Sequence, residues 1–305
     1  MSMFSRAPSQ PIAQQAGAPL QATTTPAVLD GALAATNVTF SYPYSPVPVI
    51  AGVTVRLAPG DLTAIIGPNG SGKTTLLRLL SGALTPRGGQ IHLAGRPLAA
   101  FRRQEIAKRV AIVPQELAIP FPFTVRQLVE MGRTPHLSGG WWRRDSESGR
   151  NMVSQALLAT GTTPFSARPI TELSGGERQR AIIAMALAQQ PEFLLLDEPT
   201  THLDIQHQVE VLRLLQALNR EHHIAVLATM HDLNLAAMYF DKIILLDQGR
   251  IVSTGSPAEV FSEERLRQVF QTGLRVERHP TLGTPNIVLL PGPSQAIGPL
   301  TRSLP

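Results

Sequence analysis

The chain has 305 residues, 43% of them hydrophobic, enough to bury a large core in one elaborated domain or two smaller ones. The absence of cysteine excludes disulfides and thiolate metal sites, and no apolar run approaches the roughly 18 to 20 residues that span a bilayer. The net charge of +5 comes from scattered arginines without interleaved aromatic rings, which argues against a nucleic-acid surface and suits a mildly basic face near anionic lipid headgroups.

Residues 1–30 are rich in Ser, Pro, Gln, Ala and Thr and lack a basic stretch followed by an apolar core, so they read as a disordered tail and not as a secretory signal. Residues 38–42 and 53–57 alternate in polarity like half-buried strands, joined through a proline-rich turn into an antiparallel sheet.

The apolar run 62–66 leads into Gly67-Pro68-Asn69-Gly70-Ser71-Gly72-Lys73-Thr74 and then Thr75-Leu76-Leu77. A strand, a glycine-rich loop and a helix in this order wrap backbone N–H groups around a polyphosphate, with the positive end of the helix aimed at it. The glycines allow close backbone approach, Lys73 can bridge the β and γ phosphates, and the Thr74 hydroxyl can ligate Mg²⁺. Lys73 is one of only three lysines in an arginine-rich chain, which supports a specific phosphate role for its compact ammonium. Tyr42, or its rival Tyr44, is placed to stack on an adenine.

After Gly88-Gly89 come a short strand near 91–93, a helix over 102–108 and a strand over 110–113 that Pro114-Gln115 ends. Gln115, at a strand tip, can send its side-chain oxygen toward Mg²⁺ and an attacking water. Residues 116–172 read as an inserted helical subdomain, with helices over 125–131 and 146–159; Trp141-Trp142 between them is either a docking patch or local core. Leu173-Ser174-Gly175-Gly176-Glu177 then opens a helix reaching about residue 189. Ser174 suits an N-cap and Glu177 its capping-box partner, and the adjacent glycines mark a second anion site.

Residues 193–196 form an apolar run ending in Asp197-Glu198, the pattern of a parallel strand buried on both faces with ligands at its carboxyl end. Asp197 can hold Mg²⁺, and Glu198 can polarise the water that attacks a γ-phosphate. Asp204 follows in a turn before a helix over 205–221. The next strand, 224–229, ends at His231, which can hydrogen-bond the γ-phosphate or the water. A hairpin over 242–254, short helices over 257–270 and a Pro/Gly-rich tail beyond about residue 290 complete the chain.

The ordered set of residues 67–74, Gln115, 173–177, 194–198, Asp204 and His231 resembles the nucleotide-binding subunit of ATP-binding cassette (ABC) transporters over about residues 34–261. The resemblance implies an α/β P-loop NTPase with a RecA-like core, an N-terminal antiparallel β subdomain and the inserted helical subdomain. It places the ABC domain at 31–262 and a C-terminal extension at 263–305. It further implies ATP and Mg²⁺ as cofactors and two subunits that sandwich two ATP molecules head to tail. Each site would take its cradle from one chain and Ser174, Gly175, Gly176 and Glu177 from the other. Implied partners are transmembrane permease subunits and, indirectly, a substrate-binding protein, at the cytoplasmic face of the membrane. Residues 121–125, Gly132-Arg133, 199–204 and 231–237 look like the branch that imports ferric siderophores, haem or cobalamin. The rival is a soluble cassette ATPase acting on nucleic acid or ribosomes, whose coiled-coil insertion or second cassette does not appear in this sequence.

Overall fold

The computed structural model describes residues 31–291 apart from 44, 46, 120 and 138–145. The leading tail, Tyr44, Trp141-Trp142 and the last fourteen positions therefore lie outside the described residues.

Strands β1 (Leu33–Phe40) and β2 (Ile50–Leu57) pair antiparallel, and after β3 (Leu62–Ile66) and α1 (Lys73–Leu80) the chain adds β4 (Gly88–Leu93) and β5 (Arg96–Pro97). The first sheet has the order β2-β1-β4-β5. Next come α2 (Arg103–Ala107), β6 (Val110–Val113), α3 (Val125–Met131), α4 (Glu147–Ala159), α5 (Gly175–Leu187) and β7 (Phe193–Leu196). The chain continues through α6 (Ile205–His222), β8 (Ala225–Thr229), α7 (Leu233–Tyr239), β9 (Lys242–Asp247) and β10 (Arg250–Gly255). It ends with α8 (Pro257–Val260), α9 (Glu263–Phe270) and a separate hairpin, β11 (Leu274–Arg278) with β12 (Pro285–Leu289).

The second sheet runs β10-β9-β3-β8-β7-β6, all parallel except the edge strand β10. Its central strands are buried and almost wholly apolar, Thr63 and Thr229 apart, because both faces are covered. Leu194 and Leu196 of β7 point into the core beneath α3 to α9, while Phe193 and Leu195 point into the core shared with α1 and the first sheet. Four neighbouring strands, β3, β8, β7 and β6, thus end side by side, the place where open parallel sheets bind ligands.

The two sheets are sewn together at the cradle. Gly249, in the β9–β10 turn, donates its N–H to Ser71 O at 3.0 Å and accepts from Ala51 N–H at 2.9 Å. A Cβ on Gly249 would sit 2.4 Å from Val49 O, so glycine is required by proximity as well as by its φ of +74°.

The helical lobe is α3 and α4 packed on α5. The pair Gly132-Arg133, which sequence alone associates with one transporter branch, has a structural explanation. A Cβ on Gly132 would lie 2.0 Å from Met185 O, so α3 approaches α5 to backbone contact. Arg133 is buried and its guanidinium donates to Ala188 O at 2.8 Å and to Gln190 Oε1 at 3.0 Å, placing positive charge at the negative end of α5. Gly132→Ala is expected to cost about 1–3 kcal/mol by overpacking. The measurement is a thermal melt, in which each kcal/mol lowers Tm by about 2–4 °C; an unchanged Tm would mean that α3 can retreat without loss.

Candidate functional site

The loop after β3 turns into α1 with Gly72 at the N-cap, in the left-handed region at φ +106° and with no side-chain cap for the helix. The first N–H groups of α1 are left for a ligand, in contrast to the other glycine-rich helix start described below. Gly70 also has positive φ, +78°, whereas Gly67 is glycine because a Cβ there would meet Leu246 O at 2.0 Å. Lys73 is buried and curls over the loop, donating to Gly67 O at 2.9 Å and Pro68 O at 3.1 Å. Burial pulls its pKa below the ordinary lysine value, opposed by the nearby charges of Glu198 and Asp197.

Beside the loop lies a hollow of about 170 Å³ lined by Val49, Asn69, Gly70, Gly72, Lys73, Thr74, Thr75 and Glu198. Tyr42 borders this region: its hydroxyl is 3.2 Å from Thr75 Oγ1, and its half-buried ring meets Phe40 edge-on with centroids 5.0 Å apart.

At the ends of β7 and β8 the polar groups form one network. Thr74 Oγ1 donates to Asp197 Oδ1 at 3.1 Å, and Thr229 Oγ1 donates to the same oxygen at 2.8 Å. Thr229 Oγ1 also accepts the Glu198 N–H at 2.8 Å. Glu198 has φ +51°, an uncommon conformation for a residue with a Cβ, costing on the order of 1–2 kcal/mol. One Glu198 carboxylate oxygen pairs with His231 Nε2; the other accepts from Gln115 Nε2 at 2.8 Å and Thr201 Oγ1 at 3.1 Å. Lys73 and Thr74 from the start of α1, and Gln115, Asp197, Glu198 and His231 from the loops after β6, β7 and β8, are therefore within one constellation.

Thr229 and Thr201 escape the sequence reading. Thr229 offered a signal, a lone polar residue at the end of an apolar strand, but its partners depend on β7 and β8 being neighbours in register, Leu196 opposite Ala228.

The second glycine-rich helix start is separate: none of Ser174, Gly175, Gly176, Glu177 or Asp204 lines the hollow. Ser174 caps α5, accepting from Glu177 N–H at 3.3 Å, while Glu177 Oε2 accepts from Ser174 N–H at 2.9 Å and from its hydroxyl at 3.0 Å. Those Ser174 bonds, with help from Arg168 and Arg180, hold the Glu177 carboxyl below the usual range. Asp204 caps α6 through His207 N–H at 2.9 Å and lies 2.7 Å from His207 Nδ1. A Cβ on Gly176 would fall 2.0 Å from that same imidazole, so this glycine is needed for packing in addition to any exposure of N–H groups.

The oxygen donors present suit Mg²⁺. Thr74 Oγ1 and Asp197 Oδ1 are 3.1 Å apart, the carboxylate is 6% exposed, and both are hard ligands of the type that cation takes alongside phosphate oxygens and water. Among the described residues no cluster of three or more His, Cys, Asp or Glu could hold a metal ion by itself.

The ABC transporter family profile matches residues 50–201. The chain is 42% identical over 249 residues to the ferric enterobactin transport ATP-binding protein of Escherichia coli (strain K12), covering 81% of this chain and 90% of that relative. A solved chain described as a metal-chelate type ABC transporter, in an inward-facing conformation, superposes with a TM-score of 0.74 at 30% identity, covering 85% of this chain and 97% of that one. A dimeric ATP-binding cassette in a post-hydrolysis state, bound to ADP and Pi, gives 0.63 at 27% identity over 73% of this chain and 98% of its own. Fold and cradle define a P-loop ATPase. The chain belongs to the ABC transporter family of ATP-binding proteins.

Thr229→Val keeps the shape of the strand but removes the acceptor of the Glu198 N–H and a donor to Asp197. Leaving such groups buried and unpaired costs about 1–3 kcal/mol each. The expected outcome is a fall in kcat of about tenfold or more with ATP binding retained, read from steady-state hydrolysis beside a binding isotherm; parental kcat would remove Thr229 from the site.

Proposed function

We propose that this chain is the ATP-hydrolysing subunit of a membrane importer of iron chelates, with ferric siderophore the favoured cargo class over haem or cobalamin. The observation that carries the hydrolytic part is the convergence of Gln115, Thr201 and His231 on Glu198, next to a phosphate cradle whose Lys73 and Thr74 border the same hollow. The cargo class rests on the ferric enterobactin relative and the metal-chelate transporter chain. Permease subunits and the receptor for the chelate are separate proteins, and the subunit sits against the permease on the inner face of the membrane.

In this reading Lys73 and the free N–H groups of α1 bind the β and γ phosphates, and Tyr42 supplies an aromatic wall for the adenine. Thr74, Asp197 and the Gln115 carboxamide would hold Mg²⁺, which supplies charge neutralisation for the phosphates when bound. Glu198 accepts hydrogen from the attacking water, while His231 and Gln115, which engage its carboxylate here, exchange that partner for γ-phosphate and water. Ser174 to Glu177 lie outside the hollow of their own chain, and this supports a paired arrangement. The N-terminus of α5 would then complete the cradle of a second copy, and Asp204 would sit at the same junction. Loss of the γ-phosphate weakens that bridge and lets the helical lobes move.

Two substitutions test the assignment. Glu198→Gln is expected to bind ATP, lower hydrolysis by about 10²- to 10⁴-fold and accumulate as a nucleotide-bound dimer in size-exclusion chromatography; undiminished turnover would end the general-base assignment. Lys73→Ala should lose ATP affinity itself, and an isotherm matching the parent would count against the cradle.

A further inference from the structure

The hairpin β11–β12, the last strand pair of the described residues, is bonded to the helix that follows His231. The Asn234 carboxamide faces the peptide of Ile287. Its Nδ2 donates to Ile287 O at 3.1 Å, and its Oδ1 accepts the Ile287 N–H at 2.7 Å. A carboxamide used this way replaces a neighbouring strand: β12 pairs with β11 on one side, Val276 opposite Ile287, and with one side chain of α7 on the other. The Ile287 side chain is 6% exposed and belongs to the main core, so the hairpin is anchored at the point where it grips Asn234.

This grip is continuous with His231. Asp232 Oδ1 accepts from Asn234 N–H at 2.8 Å and Leu235 N–H at 2.9 Å, fixing the turn immediately after the histidine. On the other side, Met230 N–H donates to Ile65 O at 3.0 Å, so the residue before the histidine is tied to β3. The far end of α7 is held by Gln216 Nε2, which donates to Tyr239 O at 3.0 Å, and Ala236 and Ala237 are buried between. The imidazole itself is 42% exposed and meets only a carboxylate among the contacts above, so its place is set by the backbone on either side.

We infer that Asn234 is a positioning residue for His231 and that the β11–β12 hairpin is the brace through which it acts. The inference rests on the hydrolytic role proposed for His231. A misplacement of about 1 Å in a group that meets the reacting phosphate costs as much as 10²-fold in rate, whereas the cradle stands on β3 and α1 and does not need the brace. Loosening the grip therefore slows turnover without weakening ATP binding.

The test uses the full-length chain. Asn234→Ala is expected to lower kcat about tenfold with KM for ATP within about twofold of the parent. Hydrogen exchange should quicken in residues 230–236 and 285–289 and stay unchanged in 67–80. Ile287→Pro removes the N–H that Asn234 accepts, and the double variant should be no slower than the slower single. Parental kcat in Asn234→Ala, a KM that rises in step with the fall in kcat, or losses that multiply in the double variant would each overturn the brace. If Ile287→Pro does not fold, the kcat and KM split and the exchange pattern of Asn234→Ala decide. Glu198→Gln assayed alongside keeps the two failures apart. If it remains active, the hydrolytic reading is wrong; if it is dead while Asn234→Ala runs at the parental rate, only the brace is wrong.

Discussion

One hydroxyl sets the geometry of the paired acids that end β7. Asp197 and Glu198 are consecutive, and without an external support their carboxylates would share the freedom of a loop. Thr229, fully buried, accepts the Glu198 N–H and donates to Asp197, which fixes the peptide between the acids in the left-handed turn seen at Glu198. The low dielectric around these groups strengthens each bond and makes each one costly to lose. The remaining side chains of the site are then arranged about acids that have already been placed.

Much of this architecture was legible in the chain. Continuous apolar runs mark β6 and β7 because a parallel sheet covered on both faces has no reason to alternate. The start of α5 announces itself through Ser174, whose side chain accepts from the N–H three residues on. The missing parts depend on residues far apart in sequence. Helix α7 hides in Leu233–Tyr239, where Asn234 interrupts an apolar stretch for the benefit of a strand fifty residues later. The β11–β12 hairpin has no strong alternation to reveal it, since apart from Leu274 and Ile287 its residues are not buried. Thr229 has meaning only once β7 and β8 are known to be adjacent.

The glycines show how a correct reading of residue type can miss part of its cause. In the cradle, Gly70 and Gly72 take positive φ as a phosphate loop requires, but Gly67 is dictated by the carbonyl of Leu246 on the neighbouring strand. Gly176, read from the sequence as part of an anion site, is obliged to leave room for His207, and that contact brings the start of α5 against the start of α6. Asp204 and the Ser174 turn are thereby assembled as one surface, a juxtaposition that spacing along the chain does not disclose.

The stitch at Gly249 bears on how the subunit transmits force. With Gly249 bonded to both Ser71 and Ala51, and Gly72 abutting Val49 O, the first sheet, the cradle and the β9–β10 turn behave as a single plate. The helical lobe is joined to the second sheet by packing, Val129, Leu157 and Ile183 sharing one buried cluster with Leu194 and Leu196 of β7. A load on the lobe is therefore carried through packed side chains to β7, the strand that ends at Asp197 and Glu198.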